Sequence, residues 1–230
     1  MDFIFMLTRA DRTVPDCLDI FAQAGPGLPH VGFKDVGVEL SMLRDLRAAI
    51  RESGAVCYLE VVATSAEAAL QSALMGVELQ VDCLLGGTQV AETLEILAGS
   101  GVQYFPFPGR PFGHPTSLAG DAAMVEADAR AAVAAGCAGV DLLAYRATEA
   151  EPLALVRAAR RGCGAARLIC AGGVDSGARI AALRDAGADA FTVGSAALDG
   201  AFVPGGSLAD QLRYIARSAT GSQLLQISAE

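Results

Sequence analysis

Lysine is almost missing from this sequence: of its 17 basic side chains, 16 are arginine and only Lys34 is lysine. Histidine is nearly as scarce, with His30 and His114 alone. Two imidazoles without clustered ligand spacing make a protein-built zinc site improbable, and no metal is expected. The six cysteines (Cys17, Cys57, Cys83, Cys137, Cys163 and Cys170) form no C-x-x-C pair. At least three lie in apolar runs, where a thiol behaves as a small hydrophobe, a pattern that fits a reducing compartment. No run approaches the ~18 uninterrupted apolar residues of a membrane span. The opening MDFIFML passes at once into Thr8, Arg9, Asp11 and Arg12, so neither signal peptide nor anchor is expected, and a cytoplasmic location is. A formal charge of −9 argues against a nucleic-acid partner, which would call for a basic stripe. A dinucleotide fingerprint is also missing, since TRADRT follows the first apolar run where G-x-G-x-x-G would stand. No cofactor is expected, and the ligand implied is small.

What the sequence does contain is a repeat. Short apolar runs, each followed by an Ala-rich amphipathic stretch, occur at 3–8, 30–36, 56–62, 79–85, 102–107, 139–145, 167–172 and 190–194. Their starts lie 27, 26, 23, 23, 37, 28 and 23 residues apart. That is the chain a strand, a crossover helix and two loops require, with Gly54, Gly76, Gly101, Gly136 and Gly187 expected to end helices. Eight such units in ~250 residues predict a single (β/α)8 TIM barrel over 1–230, with its site at the C-terminal strand ends. The one enlarged step holds FPFPGRPFGHPTSLAG (105–120), expected to form an ordered lid or wall.

The seventh run ends in AGGVDSGARIAALRDAGADAFTVGSAAL (171–198). Two glycine turns, the second opening a short helix, let backbone N–H groups approach an anion at the place where barrels hold phosphate. This segment resembles the end of the ribulose-phosphate-binding barrels, the sugar-phosphate isomerases, synthases and decarboxylases of histidine, tryptophan and pyrimidine biosynthesis. The resemblance implies that Gly172, Gly173, Gly194 and Ser195 hold a substrate phosphate. It is specific over roughly the last 60 residues and architectural elsewhere. Barrels similar throughout, down to GFKD and YFPFPGR, are sometimes labelled 4-hydroxythreonine-4-phosphate dehydrogenase. The missing dinucleotide fingerprint leaves such a pyridoxine-pathway oxidoreductase a remote alternative.

Lys34 ends the second run, HVGFKDVG, where a charge must face the barrel mouth or be costly. Unlike arginine, it has an amine that can donate a proton or form an imine. Glu60 holds the matching place in the third run, where alternation puts Tyr58, Glu60 and Val62 on one face. The pair is poised for proton transfer beside a carbonyl, with Asp35 or Glu60 as structural counter-ion in the blander account. Further substrate contacts are expected from Arg9, Arg110, His114 and Arg146. His30 is read as structural, and the repeat places Asp82, Asp141 and Asp189 at strand beginnings, on the side that serves stability. The leading expectation is an isomerase, epimerase, lyase or decarboxylase acting on a small phosphorylated carbonyl compound. A Lys34 Schiff-base aldolase and a non-catalytic phosphometabolite-binding barrel are the alternatives, and a homodimer is the expected assembly.

Overall fold

A computed structural model describes residues 1–25, 27–63 and 65–221. In chain order the elements are β1 (Asp2–Met6), a hairpin of β2 (Thr8–Arg9) and β3 (Arg12–Thr13), α1 (Cys17–Ala24), β4 (His30–Lys34), α2 (Leu40–Glu52) and β5 (Val56–Glu60). There follow α3 (Ala66–Glu78), β6 (Cys83–Leu85), α4 (Val90–Leu97), β7 (Gln103–Phe105), a second hairpin of β8 (Arg110–Phe112) and β9 (Ser117–Ala119), and α5 (Ala122–Ala134). The chain continues through β10 (Gly139–Leu142), a 3-10 turn (Ala144–Arg146), α6 (Pro152–Cys163), β11 (Arg167–Cys170), α7 (Gly177–Ala186), β12 (Ala190–Val193), α8 (Ser195–Leu198) and α9 (Leu208–Thr220).

Eight parallel strands pair in the order β10-β11-β12-β1-β4-β5-β6-β7. The Ala138 amide donates to the Tyr104 carbonyl and the Asp141 amide to that of Pro106, both at 3.0 Å, and these bonds join the two ends into a barrel. Period-two alternation sorts the side chains. Phe3, Phe5 and Leu7 pack outward under the helices, while Ile4, Met6, Tyr58, Cys83, Leu85, Phe105, Ile169 and Ala190 fill the barrel. The helices cover the strands with narrow apolar stripes, as in α2, where Leu43, Leu46 and Ile50 are buried at helical spacing. Side chains fix several starts: Ser176 caps α7, and Ser207 with Asp210 forms a capping box on α9, each cap contributing ~1 kcal/mol.

Two expectations are corrected, those for Gly76 and Asp141. Gly76 does not end a helix but lies within α3, buried, because a Cβ there would already press on Leu84 across the helix-to-strand contact. Residues 105–120 are ordered, in line with the expected wall: they carry the β8–β9 hairpin, whose Thr116 amide is tied into the barrel mouth. Asp82 and Asp189 do sit at strand starts, accepting the amides of Cys57 (2.7 Å) and Leu168 (2.8 Å) from neighbouring strands. Asp141 does not, because β10 begins two residues before it, at Gly139. Val140 and Leu142 face the helices, so the Asp141 carboxyl points into the barrel and is fully buried.

Candidate active site

The site starts from register. Lys34 and Glu60 are paired neighbours on β4 and β5, the last residue of each strand, so their side chains leave the barrel side by side. Lys34 Nζ lies 3.0 Å from Glu60 Oε1, and both residues are buried. Asp35, the other candidate partner, faces away and accepts from the Val62 amide at 3.3 Å and from the Ser72 hydroxyl.

A residue not anticipated from the sequence completes the cluster. Between β2 and β3 the chain reverses in two residues, Ala10 and Asp11, both with positive φ (45° and 58°), the geometry that matches the strands' own twist. The hairpin is pinned to β4 by Thr13, whose hydroxyl accepts from the Lys34 amide at 2.9 Å and donates to the Lys34 carbonyl at 2.7 Å. The turn therefore folds Asp11 over the barrel mouth. Its Oδ1 accepts from Lys34 Nζ and from Arg146, both at 2.8 Å. Its Oδ2 accepts from Arg146 at 2.6 Å and from the Thr116 amide at 2.9 Å. Arg146, on the 3-10 turn after β10, is thus gripped bidentately and also donates to the Thr116 carbonyl at 3.0 Å.

The electrostatics follow from this pairing. Burial pushes the Asp11 carboxyl up, but Arg146 and Lys34 outweigh it and hold it well below the usual carboxylate range. Burial likewise disfavours the Lys34 ammonium, and Glu60 and Asp11 reverse that, raising its pKa. Asp141 is raised well above the ordinary value by burial and by the nearby Glu60 charge. Neither of its carboxyl oxygens has a partner among the described residues.

The cluster forms one wall of a cavity of about 170 Å³, whose other wall includes Gly172, Gly173, Val174, Gly194 and Ser195. Gly172 and Gly173 follow β11 with φ of 73° and 72°, and a Cβ on Gly172 would collide with the Arg146 guanidinium. The Gly173 and Val174 amides donate to no acceptor among the described residues. Gly194 passes so close to Thr8 and to the Met6 carbonyl that any side chain would clash. A hollow of about 660 Å³ opens at the opposite end of the barrel, around His30, Tyr58 and Gln103. No buried ion pair converges on it among the described residues, so the smaller cavity is the candidate site. At that far end His30 pairs with the Tyr58 hydroxyl at 3.1 Å, and burial lowers its pKa.

The other predicted contacts fall outside the cavity walls. Arg9, on the outer side of the first hairpin, is exposed and bonds Asp199 at 2.8 Å and the Leu198 carbonyl at 2.9 Å. Arg110 is exposed beside Glu149 at 3.4 Å, on a neighbouring hollow of about 250 Å³ that it shares with Thr116. His114 is exposed at the tip of the second hairpin. The described residues contain no cluster of three metal-ligating side chains and no helix long and apolar enough to cross a membrane. All six cysteines are buried and unbridged.

With this geometry in place, comparison with known proteins is informative about architecture. No family model matches the chain, and no curated protein does. Among solved structures, orotidine 5'-phosphate decarboxylase from Pyrococcus horikoshii OT3 is similar at a TM-score of 0.68 and 11% identity, over 95% of this chain and 99% of that one. A structure described as native KDPGal gives 0.64 and 14%, over 96% and 95%. The Amycolatopsis orientalis BexX/CysO complex gives 0.59 and 19%, over 99% and 94%. The likeness is one of fold: a (β/α)8 barrel.

Proposed function

We propose that this barrel is an enzyme that moves a proton at the carbon beside the carbonyl of a small phosphorylated compound, as an isomerase or epimerase, or as a lyase. The observation that carries this reading is the buried Lys34 ammonium, bonded to two carboxylates on the wall of a cavity whose opposite wall is two glycine turns. In the forward step the substrate C–H bond breaks and its proton goes to the Glu60 carboxylate. The electron pair passes to the carbonyl oxygen, which the Lys34 ammonium stabilises as an oxyanion. Glu60 then returns the proton to the same carbon, or to the former carbonyl carbon as the proton of the hydroxyl on the first carbon passes to the oxyanion and that carbon becomes the new carbonyl. Unpaired amides at Gly173 and Val174, with the Arg146 guanidinium beside Gly172, suit the phosphate end of such a ligand.

Size supports the same reading. A cavity of about 170 Å³ lies below the roughly 300–1,000 Å³ of pockets for drug-sized ligands, and one of about 150 Å³ accepts benzene. The reacting part of the substrate is therefore a few carbons long. The raised Lys34 pKa favours the charged ammonium over the free amine, which weighs against the imine-forming alternative.

Incubation of the chain in D2O with a panel of triose to pentose phosphates, followed by proton NMR, tests this. Deuterium should enter a carbon adjacent to the carbonyl of at least one compound and fail to do so with Glu60→Gln. Ser195→Asp, which places a like charge at the cup formed by the two glycine turns, should weaken phosphate-ester binding at least tenfold. Absence of both binding and exchange across the panel would refute the reading. Binding without exchange would support a non-catalytic barrel instead.

A further inference from the structure

Asp141 is the one member of the buried cluster left without a partner. Its neighbours in charge are Glu60 on β5, Lys34 on β4 and Arg146 on the 3-10 turn. The two cations are already committed. Lys34 is bonded to Asp11 and Glu60, and Arg146 is gripped bidentately by Asp11. Two cations and two carboxylates balance, so an ionised Asp141 would be a third negative charge in a fully buried position with neither oxygen hydrogen-bonded among the described residues. An isolated carboxylate in such a place takes up a proton rather than bear the desolvation cost. Glu60 differs from Asp141 in having a bonded cation, Lys34 Nζ at 3.0 Å, so of the two it is Asp141 whose environment favours the neutral acid.

We infer that Asp141 carries a proton in the folded protein, so that it adds no third negative charge to the buried cluster and leaves the Lys34–Glu60 ion pair, 3.0 Å apart, to face the substrate. The role of Asp141 is that of a positioning residue acting through Glu60. This rests on the reading of Glu60 as proton acceptor, but the protonation state can be measured without a substrate.

Two measurements on the full chain test the inference. The first is aspartate-selective 13C NMR of the unsubstituted protein, in which one side-chain carboxyl should keep the shift of the neutral acid at pH 7.5. All aspartates at the carboxylate shift would overturn the inference, whether or not any variant folds. The second is the thermal midpoint of Asp141→Asn relative to the parent chain from pH 4 to 7.5. A carboxyl whose folded pKa is raised is neutral when folded but ionised when unfolded, so it lowers stability as pH rises above the ordinary carboxylate pKa of about 3.9. The amide has no such penalty. Its midpoint should exceed the parent's at pH 7.5, and the difference should shrink towards pH 4. A difference that does not change with pH, or a deficit that appears only at neutral pH, would show that Asp141 carries no such proton. Because neither measurement uses substrate, failure of the deuterium-exchange assay would sink the enzymatic reading while leaving this result to stand or fall alone.

Discussion

Replacing Lys34 with Met tests the central claim that the ammonium is integral to the buried cluster. The substitution removes the 2.8 Å contact to Asp11 and the 3.0 Å contact to Glu60 together. Asp11 retains both Arg146 bonds and the Thr116 amide, so most of the loss falls on Glu60, which is left beside Asp141 without its bonded cation. Breaking a buried pair from one side costs about 3–5 kcal/mol. A separate bound comes from neutralisation: keeping a glutamate with a reference pKa of about 4.3 protonated at pH 7 costs about 3.7 kcal/mol, at 1.36 per pKa unit. The two routes agree on about 3–4 kcal/mol at neutral pH, a large share of the roughly 5–15 kcal/mol that holds a domain folded. By pH 4.5 the neutralisation cost falls below about 1 kcal/mol. Urea unfolding at a series of pH values measures this, followed by circular dichroism because the chain has no tryptophan. A variant as stable as the parent at pH 7 would show that desolvation of Lys34 outweighs its two ion pairs, and would refute the reasoning.

Lys34→Arg keeps the charge but loses the compact proton donor, so turnover in the exchange assay should fall by at least ~100-fold while the circular dichroism spectrum is unchanged. Asp11→Asn should destabilise the chain at neutral pH. Because the folded pKa of Asp11 is lowered, its contribution is present above the ordinary value of about 3.9 and is lost as pH falls through the lower folded value, so parent and variant should converge in acid unfolding. Gly37 has φ of 115°, and a Cβ there would collide with the Thr13 backbone that pins the first hairpin. Gly37→Ala should therefore cost about 1–3 kcal/mol in urea unfolding. The close approach of Gly194 to the Met6 and Thr8 backbone means a bulky residue there should lower the thermal midpoint as well as ligand binding, which makes Ser195→Asp the cleaner probe of the cup.

The amino-acid sequence alone determined the eightfold repeat, because each βα unit needs an apolar strand followed by an amphipathic helix, and both periods are written locally. It also determined the adjacency of Lys34 and Glu60, since two residues at matching ends of neighbouring parallel strands must leave the barrel together. The glycines of the cup were legible for a similar reason: their turns lie where this fold's own strand ends place them. Asp11 was hidden because its part depends on a two-residue reversal with positive φ at Ala10, a residue that gives no turn signal. The inward aim of Asp141 was hidden because a shift of two residues in where β10 starts alters its depth in the barrel while the surrounding GVD pattern stays the same. Arg9, Arg110 and His114 were close to the expected face in sequence, but the two hairpins turn them to solvent. Which charges meet was thus decided only by tertiary structure, because Asp11, Lys34, Glu60 and the Asp141–Arg146 stretch come from four separate segments, and a buried charge is set by what the other segments bring to it.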